Sequence, residues 1–575
     1  MSGTADTDMI SGQETGFRFR LRLRRWWPVW CFLAIVLIAL PAVFSDVLPQ
    51  RDVAFRYAPM AEAFREGDWS FAFHPRTGLL HTLTAGILAA VFQCGGFLAC
   101  KLSSVLFMAL GVFPLYGLVR RIYSRGMAEI CTAGFIFASQ LQRLGWSGLR
   151  DSHKTFLILL AAYALVVIYQ ERGRWSGYLW LGIAAGLGII TRGDLSPFMG
   201  LLFFWGMVLE LNRKCLPLRS LAGAGLAILI TLPSIWINYA VAGVAVPEIR
   251  YAMLFAKIMH RQPGLTDVLL LLPAGLCFCC AGAWVVRKIA DCRFRGKVLA
   301  TVIFLFLLVV ARRMASPSFL CTEPIPDYIG SIVKGFFPVF GFFAVIGIAL
   351  RLYRKEWRQE ETILAVLLFG HTLLVCVSII LFDGYLYVSP RYLIPAVPLE
   401  FAWTATGVLF LWDGIHCLLR GHFTRTLRIA EILSILAAMG GFLYDFYRPA
   451  IKEHCDKKCI RERKAFAELV QIIRNDYRGP AFDRPPLELE KYNPKHRPAI
   501  AFLQYYELFG KTGPNHGRVT LAAYLAEGRP VFPADDADYI LEKCSEKNQL
   551  PENLEFMADW KFGKDAYRLW KRKKQ

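Results

Sequence analysis

The sequence predicts an all-α polytopic membrane protein of about thirteen transmembrane helices, followed by a small external C-terminal α/β or α+β domain. Three observations predict it. Of 575 residues, 55% are hydrophobic and only 19% charged, where soluble domains average roughly 25% charged. Apolar runs of about spanning length recur from residue 28 to residue 446, each close to the ~20 residues that cross a bilayer as a helix. After residue 446 the composition turns polar and rich in proline and charge. A disordered chain is excluded by the apolar content. A disulfide-framed secreted module is excluded too, because 15 Cys in a chain of 575 residues is sparse.

The net charge is +21, from 66 basic and 45 acidic residues. Membranes account for that excess better than nucleic acid does, because Lys and Arg accumulate in cytoplasmic loops. Residues 1–27 form a cytoplasmic N-terminal segment. In it Arg18, Arg20, Arg22, Arg24, Arg25, Trp26 and Trp27 make a basic and aromatic flank to the first apolar run, 28–44. Phe44-Ser45-Asp46 is a poor cleavage site, so the run reads as a span and not a removed signal.

Further runs lie at 98–119, 127–144, 155–169, 177–190, 195–211, 221–240, 268–286, 298–310, 332–350, 363–382, 393–418 and 429–446. Residues 77–92 are also apolar but short, and hold His81; they read as a re-entrant or interfacial segment. With the N-terminus inside, this count puts most of the loop arginines and lysines inside, at 120–125, 172–174, 213–219, 287–297, 351–358 and 420–428. Counting 77–92 as a span would invert everything downstream and break the rule. The spans make a transmembrane domain over 28–446 with an external loop at 45–97. An odd number of spans places 447–575 outside, long enough for one small domain. Within it, 498–509 and 519–525 are short apolar patches.

The first external loop is unusually charged. Residues 52–66 read as an amphipathic helix lying in the membrane interface, with Val53, Tyr57, Met60 and Phe64 on an apolar stripe and Asp52, Arg56, Glu62 and Glu66 largely opposite. His74-Pro75-Arg76 follows. For Arg65 and Glu66 an idle solvated surface is the better reading; Asp52, next to the mouth of the first span, is a stronger functional candidate. A second cluster, Arg150-Asp151-Ser152-His153-Lys154, also falls outside on this map, as do Arg192, Asp194, Arg312, Arg313 and Arg391. Basic residues that break the positive-inside pattern suit a phosphate or pyrophosphate group, held by charge-assisted and bidentate hydrogen bonds. Snorkelling would explain any one of them, but explains the set less well.

Cys277, Cys279 and Cys280 sit inside one span and act as small apolar residues. Cys455 and Cys459 have no matching His or Cys pair to complete a metal site, and no phosphate-binding loop or zinc motif appears.

The order of features resembles the GT-C membrane glycosyltransferases, in the branch of protein O-mannosyltransferases and lipid A aminoarabinose transferases. The resemblance rests on a first span, an Asp-bearing external loop with an interfacial helix, Asp151 at the head of the fourth span, Arg391-Tyr392-Leu393-Ile394-Pro395, and an external C-terminal domain. The family often shows an Asp-Glu pair where this chain has Asp52-Val53, and its Pro-Pro-Leu-like turn appears as Pro75-Arg76-Thr77-Gly78-Leu79-Leu80. The resemblance implies transfer of a sugar from a polyprenyl-phosphate carrier to a glycan, lipid or protein acceptor on the external side of the inner (plasma) membrane, with inversion. Such a reaction needs a carboxylate to take the acceptor's proton and cations to stabilise the leaving phosphate. Asp52 suits the base, with Asp151 assisting. Arg56, Glu62, His74, Arg76, His153, Lys154, Arg192 and Arg391 are the substrate-binding candidates. The expectation includes no cofactor. A divalent metal is possible but not expected, with Asp52 and Asp151 the obvious oxygen ligands. A lipid-linked-sugar flippase or transporter is the competing reading, weakened because the spans hold very few acids. A membrane scaffold with an external binding domain is a third.

Overall fold

The computed structural model describes residues 25–45, 52–53, 57–73, 78–171, 174–193, 195–213, 216–247, 255, 259–290, 295–315, 325–380, 389–419, 424–455, 521–524, 539–543, 554–562 and 565–573. In the described residues, each of the thirteen apolar runs falls largely on helix. In chain order the helices are α1 (Trp27–Val43), α2 (Ala58–Glu66), α3 (Leu79–Phe92), α4 (Gly96–Leu110), α5 (Val112–Ile122), α6 (Arg125–Phe137), α7 (Ser139–Trp146), α8 (Asp151–Gln170) and α9 (Trp175–Ile189). Then come α10 (Leu195–Asn212), α11 (Leu218–Ala242), α12 (Leu265–Ala290), α13 (Arg295–Met314), α14 (Ile325–Gly335), α15 (Pro338–Tyr353), α16 (Gln359–Ser378), α17 (Phe401–Leu419) and α18 (Thr424–Cys455). Two 3-10 turns, Pro390–Tyr392 and Ile394–Glu400, precede α17.

Among the described residues, six helices are long and apolar enough to cross a membrane, or seven if one bent pair counts as a span. The protein is thus a multi-pass helical membrane protein. Two departures have local causes. The run 332–350 is not one helix: its two halves meet at 75°. Pro338 disfavours the helical conformation of the residue before it, and Phe337 sits at φ +49°. The run 127–144 is likewise two helices, parted at Ala138, whose ψ of 83° is not helical.

The helix after α1 buries more than its apolar stripe. Val53, Tyr57 and Met60 are buried as the stripe requires, but so are Ala58, Ala61, Ala63 and Glu62. The helix packs between α3 and α4, which its small residues allow. At Gly96 a Cβ would stand 2.1 Å from the Ala58 carbonyl oxygen. The helix α3, at 14 residues, spans about 21 Å at 1.5 Å per residue, short of the ~30 Å hydrocarbon thickness.

The end of the bundle opposite the site is tied by side chains. Glu361, fully buried in the first turn of α16, accepts from Arg351 at 2.8–2.9 Å, from the Tyr123 hydroxyl at 3.0 Å and from the Trp403 indole at 3.1 Å. Arg213 donates to the Ile168 and Tyr169 carbonyls, satisfying the last turn of α8, whose C-terminal carbonyls lack helical partners.

The C-terminal region contributes a four-stranded sheet. Its strands are β1 (Leu521–Tyr524), β2 (Tyr539–Lys543), β3 (Leu554–Phe562) and β4 (Asp565–Arg572), in the order β1-β2-β4-β3. β1 runs parallel to β2, with Leu521 opposite Tyr539; the β2–β4 and β3–β4 pairs are antiparallel, bringing Trp570 opposite Ile540 and Phe556. The apolar patch at 519–525 becomes β1; the patch at 498–509 lies outside the described residues.

Candidate active site

Five separate stretches meet at one end of the bundle. Asp52 follows α1. The start of α3 lies on the end of α9: Leu80 N–H donates to the Ile190 carbonyl at 3.2 Å, and a Cβ on Gly78 would stand 2.1 Å from the Thr191 carbonyl oxygen. Only glycine allows that approach. The head of α8 supplies Arg150, Asp151 and Lys154. Arg192 follows α9, and Arg391 and Tyr392 come from the first 3-10 turn. Pro390, Pro395 and Pro398 remove backbone donors there, so the chain winds in short turns before α17 begins.

The contacts are close. Arg391 Nη2 donates to Asp52 Oδ2 at 2.7 Å, across 339 residues of chain. Arg192 Nη1 donates to Asp151 Oδ1 at 2.7 Å, and this pair is almost fully buried. Lys154 Nζ donates to the Tyr392 carbonyl at 3.3 Å, and Arg150 Nη1 to the Thr191 carbonyl at 3.0 Å. The Tyr392 ring lies against both guanidiniums, 4.6 Å from that of Arg192 and 5.3 Å from that of Arg391. Asp151 opens α8, where the helix dipole favours a negative charge.

Burial works to lower the pKa of Arg391, but Asp151 and Asp52 outweigh it and hold the guanidinium above its ordinary range. It stays charged. Burial pushes the Tyr57 phenol up, so it stays neutral. Four cations therefore face two carboxylates, and the surplus positive charge suits an anion. Among the described residues no group of three or more His, Cys, Asp or Glu is placed to hold a metal ion; Asp52 and Asp151 each accept from an arginine.

Of the residues expected from sequence, the structure brings together Asp52, Asp151, Lys154, Arg192 and Arg391. Two others stand apart from this cluster. Glu62 Oε1 accepts from the Gly96 N–H at 2.9 Å, at the start of α4. His153 points from α8 into the helix packing, stacked on Phe107 with ring centroids 3.8 Å apart, its Nε2 at 3.2 Å from the Ser103 hydroxyl. Arg56, His74 and Arg76 lie outside the described residues, as does Asp194. Tyr392, Tyr57 and Thr191 were not foreseen. Tyr392 stood beside Arg391 in the quoted motif, but Thr191 acts through its backbone, which carries no sequence signal.

Residues 74–237 match the family described as dolichyl-phosphate-mannose-protein mannosyltransferase. The matched segment holds the head of α8 and Arg192; Asp52 and Arg391 flank it. No curated protein sequence matches the chain. Among solved structures, the oligosaccharyltransferase of Archaeoglobus fulgidus, crystallised with Zn and sulfate, is similar with a TM-score of 0.48 at 16% identity, over 79% of this chain and 56% of that one. The same organism's AglB, in complex with an inhibitory peptide and a dolichol-phosphate, gives 0.46 at 14% identity, over 88% and 63%. The chain thus spans little more than half the length of these archaeal enzymes. ArnT from Cupriavidus metallidurans, in the apo state, gives 0.49 at 11% identity, over 94% and 97%. On a multi-pass helical scaffold, the chain is thus similar over residues 74–237 to the dolichyl-phosphate-mannose-protein mannosyltransferase family.

Proposed function

We propose that the chain moves a sugar from a polyprenyl-phosphate-linked donor to a hydroxyl or amine acceptor at the external face of the membrane, with inversion at the sugar carbon C1. The observation that carries this reading is the pairing of Asp52 with Arg391 beside the second pair, Asp151 with Arg192. A base and an anion-binding group are thereby held within one hydrogen bond of each other. Arriving donor phosphate competes with Asp52 for Arg391, whose planar fork has further donors. Asp52, released from the ion pair, accepts the acceptor's proton as the acceptor oxygen or nitrogen attacks C1. The bond from C1 to the phosphate oxygen breaks, and its electron pair leaves with the phosphate. Arg391, Lys154 and Arg192 stabilise the charge that builds there. Asp151 keeps Arg192 oriented, and the Tyr392 ring holds both guanidiniums in place.

Reconstitution with a radiolabelled polyprenyl-phosphate sugar tests the reading. Label should pass to an acceptor; passage of intact donor across the bilayer with no transfer would make the chain a flippase. In the same assay Arg391→Lys should raise the donor KM, because a point charge replaces a fork. Arg391→Ala should raise it ten- to a hundredfold, since a charged hydrogen bond is worth about 1.5–3 kcal/mol. Unchanged donor kinetics in both would move the phosphate to Lys154 or Arg192.

The topology in this proposal has the N-terminus in the cytoplasm, Asp52 and residues 447–575 outside, and the whole in the cell's inner (plasma) membrane. Trp69 is 53% exposed, so Trp69→Cys should react with an impermeant thiol reagent added from outside. Arg174, whose side chain is 73% exposed, should not react as Arg174→Cys until the membrane is opened. Reaction of the second variant in intact cells would invert the map.

A further inference from the structure

The turn that leads into α8 is held by side chains from two other helices. Gly148 stands at φ +77°, in the left-handed region that glycine adopts without strain. A Cβ there would meet Val53 Cγ1 at 3.2 Å and Cys100 Cβ at 3.4 Å, so the turn rests directly on the residue after Asp52. Both of its carbonyls are taken by side chains from other helices. His81 Nε2–H, on α3, donates to the Gly148 carbonyl at 3.1 Å, and the Ser104 hydroxyl, on α4, donates to the Leu149 carbonyl at 2.7 Å. The next residue is Arg150, then Asp151, with Lys154 one turn further. His81 itself is fixed: its ring stands edge-on to Tyr57 at 4.9 Å and to His153 at 4.8 Å, and it is buried.

We propose that His81 and Ser104 are positioning residues for the transfer step, acting through the Gly148 turn to set the spacing between Asp52 and the charged head of α8. The inference rests on the function proposed above. Neither side chain needs to touch substrate. Val53 lies on one side of the turn and the head of α8 leaves from the other, so a displaced turn alters the distance from base to cations. A shift of about 1 Å at such a point costs up to a hundredfold in rate.

The test is steady-state transfer by the full-length protein in liposomes, with thermal unfolding measured on the same samples. His81→Leu should lower kcat tenfold or more while the donor KM stays within twofold. His81→Gln, which keeps an N–H donor near the Nε2 position, should recover at least a third of the wild-type kcat. A wild-type kcat in His81→Leu overturns the proposal, and so does equal loss in His81→Gln and His81→Leu. Should His81→Leu fail to insert, Ser104→Ala decides, because it removes one hydroxyl and little volume. A fall in kcat at unchanged donor KM upholds the proposal; an unchanged kcat overturns it. Asp52→Asn run in parallel separates the two levels. An active Asp52→Asn protein sinks the reaction itself, whereas an inactive one beside wild-type His81 and Ser104 variants sinks only the positioning role.

Discussion

Asp52→Asn is expected to insert and fold normally and to lose at least about a hundredfold in kcat, the lower range for a lost general base. Asparagine keeps the shape of aspartate and one acceptor oxygen, so it can still receive the Arg391 N–H that now lies 2.7 Å from Asp52 Oδ2. It cannot take a proton from an attacking hydroxyl or amine. The donor KM should move only a few-fold, because the cations that hold the phosphate are untouched. The expected loss corresponds to about 2.7 kcal/mol of barrier, at 1.36 kcal/mol per tenfold. Glu66→Gln is the control: that carboxylate pairs with its neighbour Arg65 at 3.7 Å and should leave transfer near wild type. Near-normal transfer by a well-expressed Asp52→Asn protein would remove Asp52 from the chemistry.

The second large effect concerns stability, at the opposite end of the bundle. Glu361→Ala should destabilise the protein by about 3–5 kcal/mol, the usual result of removing one partner from a buried charge pair. Arg351 would lose its bidentate acceptor, and the Tyr123 hydroxyl and Trp403 indole would lose theirs. Those donors come from three other places in the chain, so the helices that meet there loosen together. Glu356 provides the contrast. It pairs with the same arginine at 3.3 Å but is 52% exposed, and Glu356→Ala should cost no more than about 1 kcal/mol. Thermal unfolding in detergent reads both. Equal small shifts would show that Glu361 is not the tie between these helices.

The apolar runs were legible because a lipid-facing helix has one dominant requirement, a continuous hydrophobic surface of sufficient length. Breaks inside those runs were harder to see. Pro338 marks the bend after Phe337, yet Pro233 lies inside α11 without ending it, so proline alone does not say where a span divides. The helix after Asp52 showed its stripe at Val53, Tyr57 and Met60, but the burial of Glu62 came from packing against α3 and α4 that no local pattern contains. At the site, charge was the readable signal. Arg391, Arg192, Lys154 and Asp151 stood out because ionised side chains near a span are costly. Which carboxylate takes which arginine was hidden, since those pairings join residues 41 and 339 positions apart. His81 and Ser104 were hidden for a different reason: their partners are backbone carbonyls.

The separation of Asp52 from Arg391 also bears on how the protein is made. A chain emerging from the ribosome presents Asp52 early and must add 339 further residues before its guanidinium partner exists. Helices α2 to α16 are made in that interval, and the buried pair of Asp151 with Arg192 can close long before it ends. The two halves of the site are therefore completed at different stages of synthesis. A nascent or prematurely terminated chain carries the carboxylate without the cation that completes its surroundings, so on the mechanism proposed above competence for transfer arrives only with the last third of the chain.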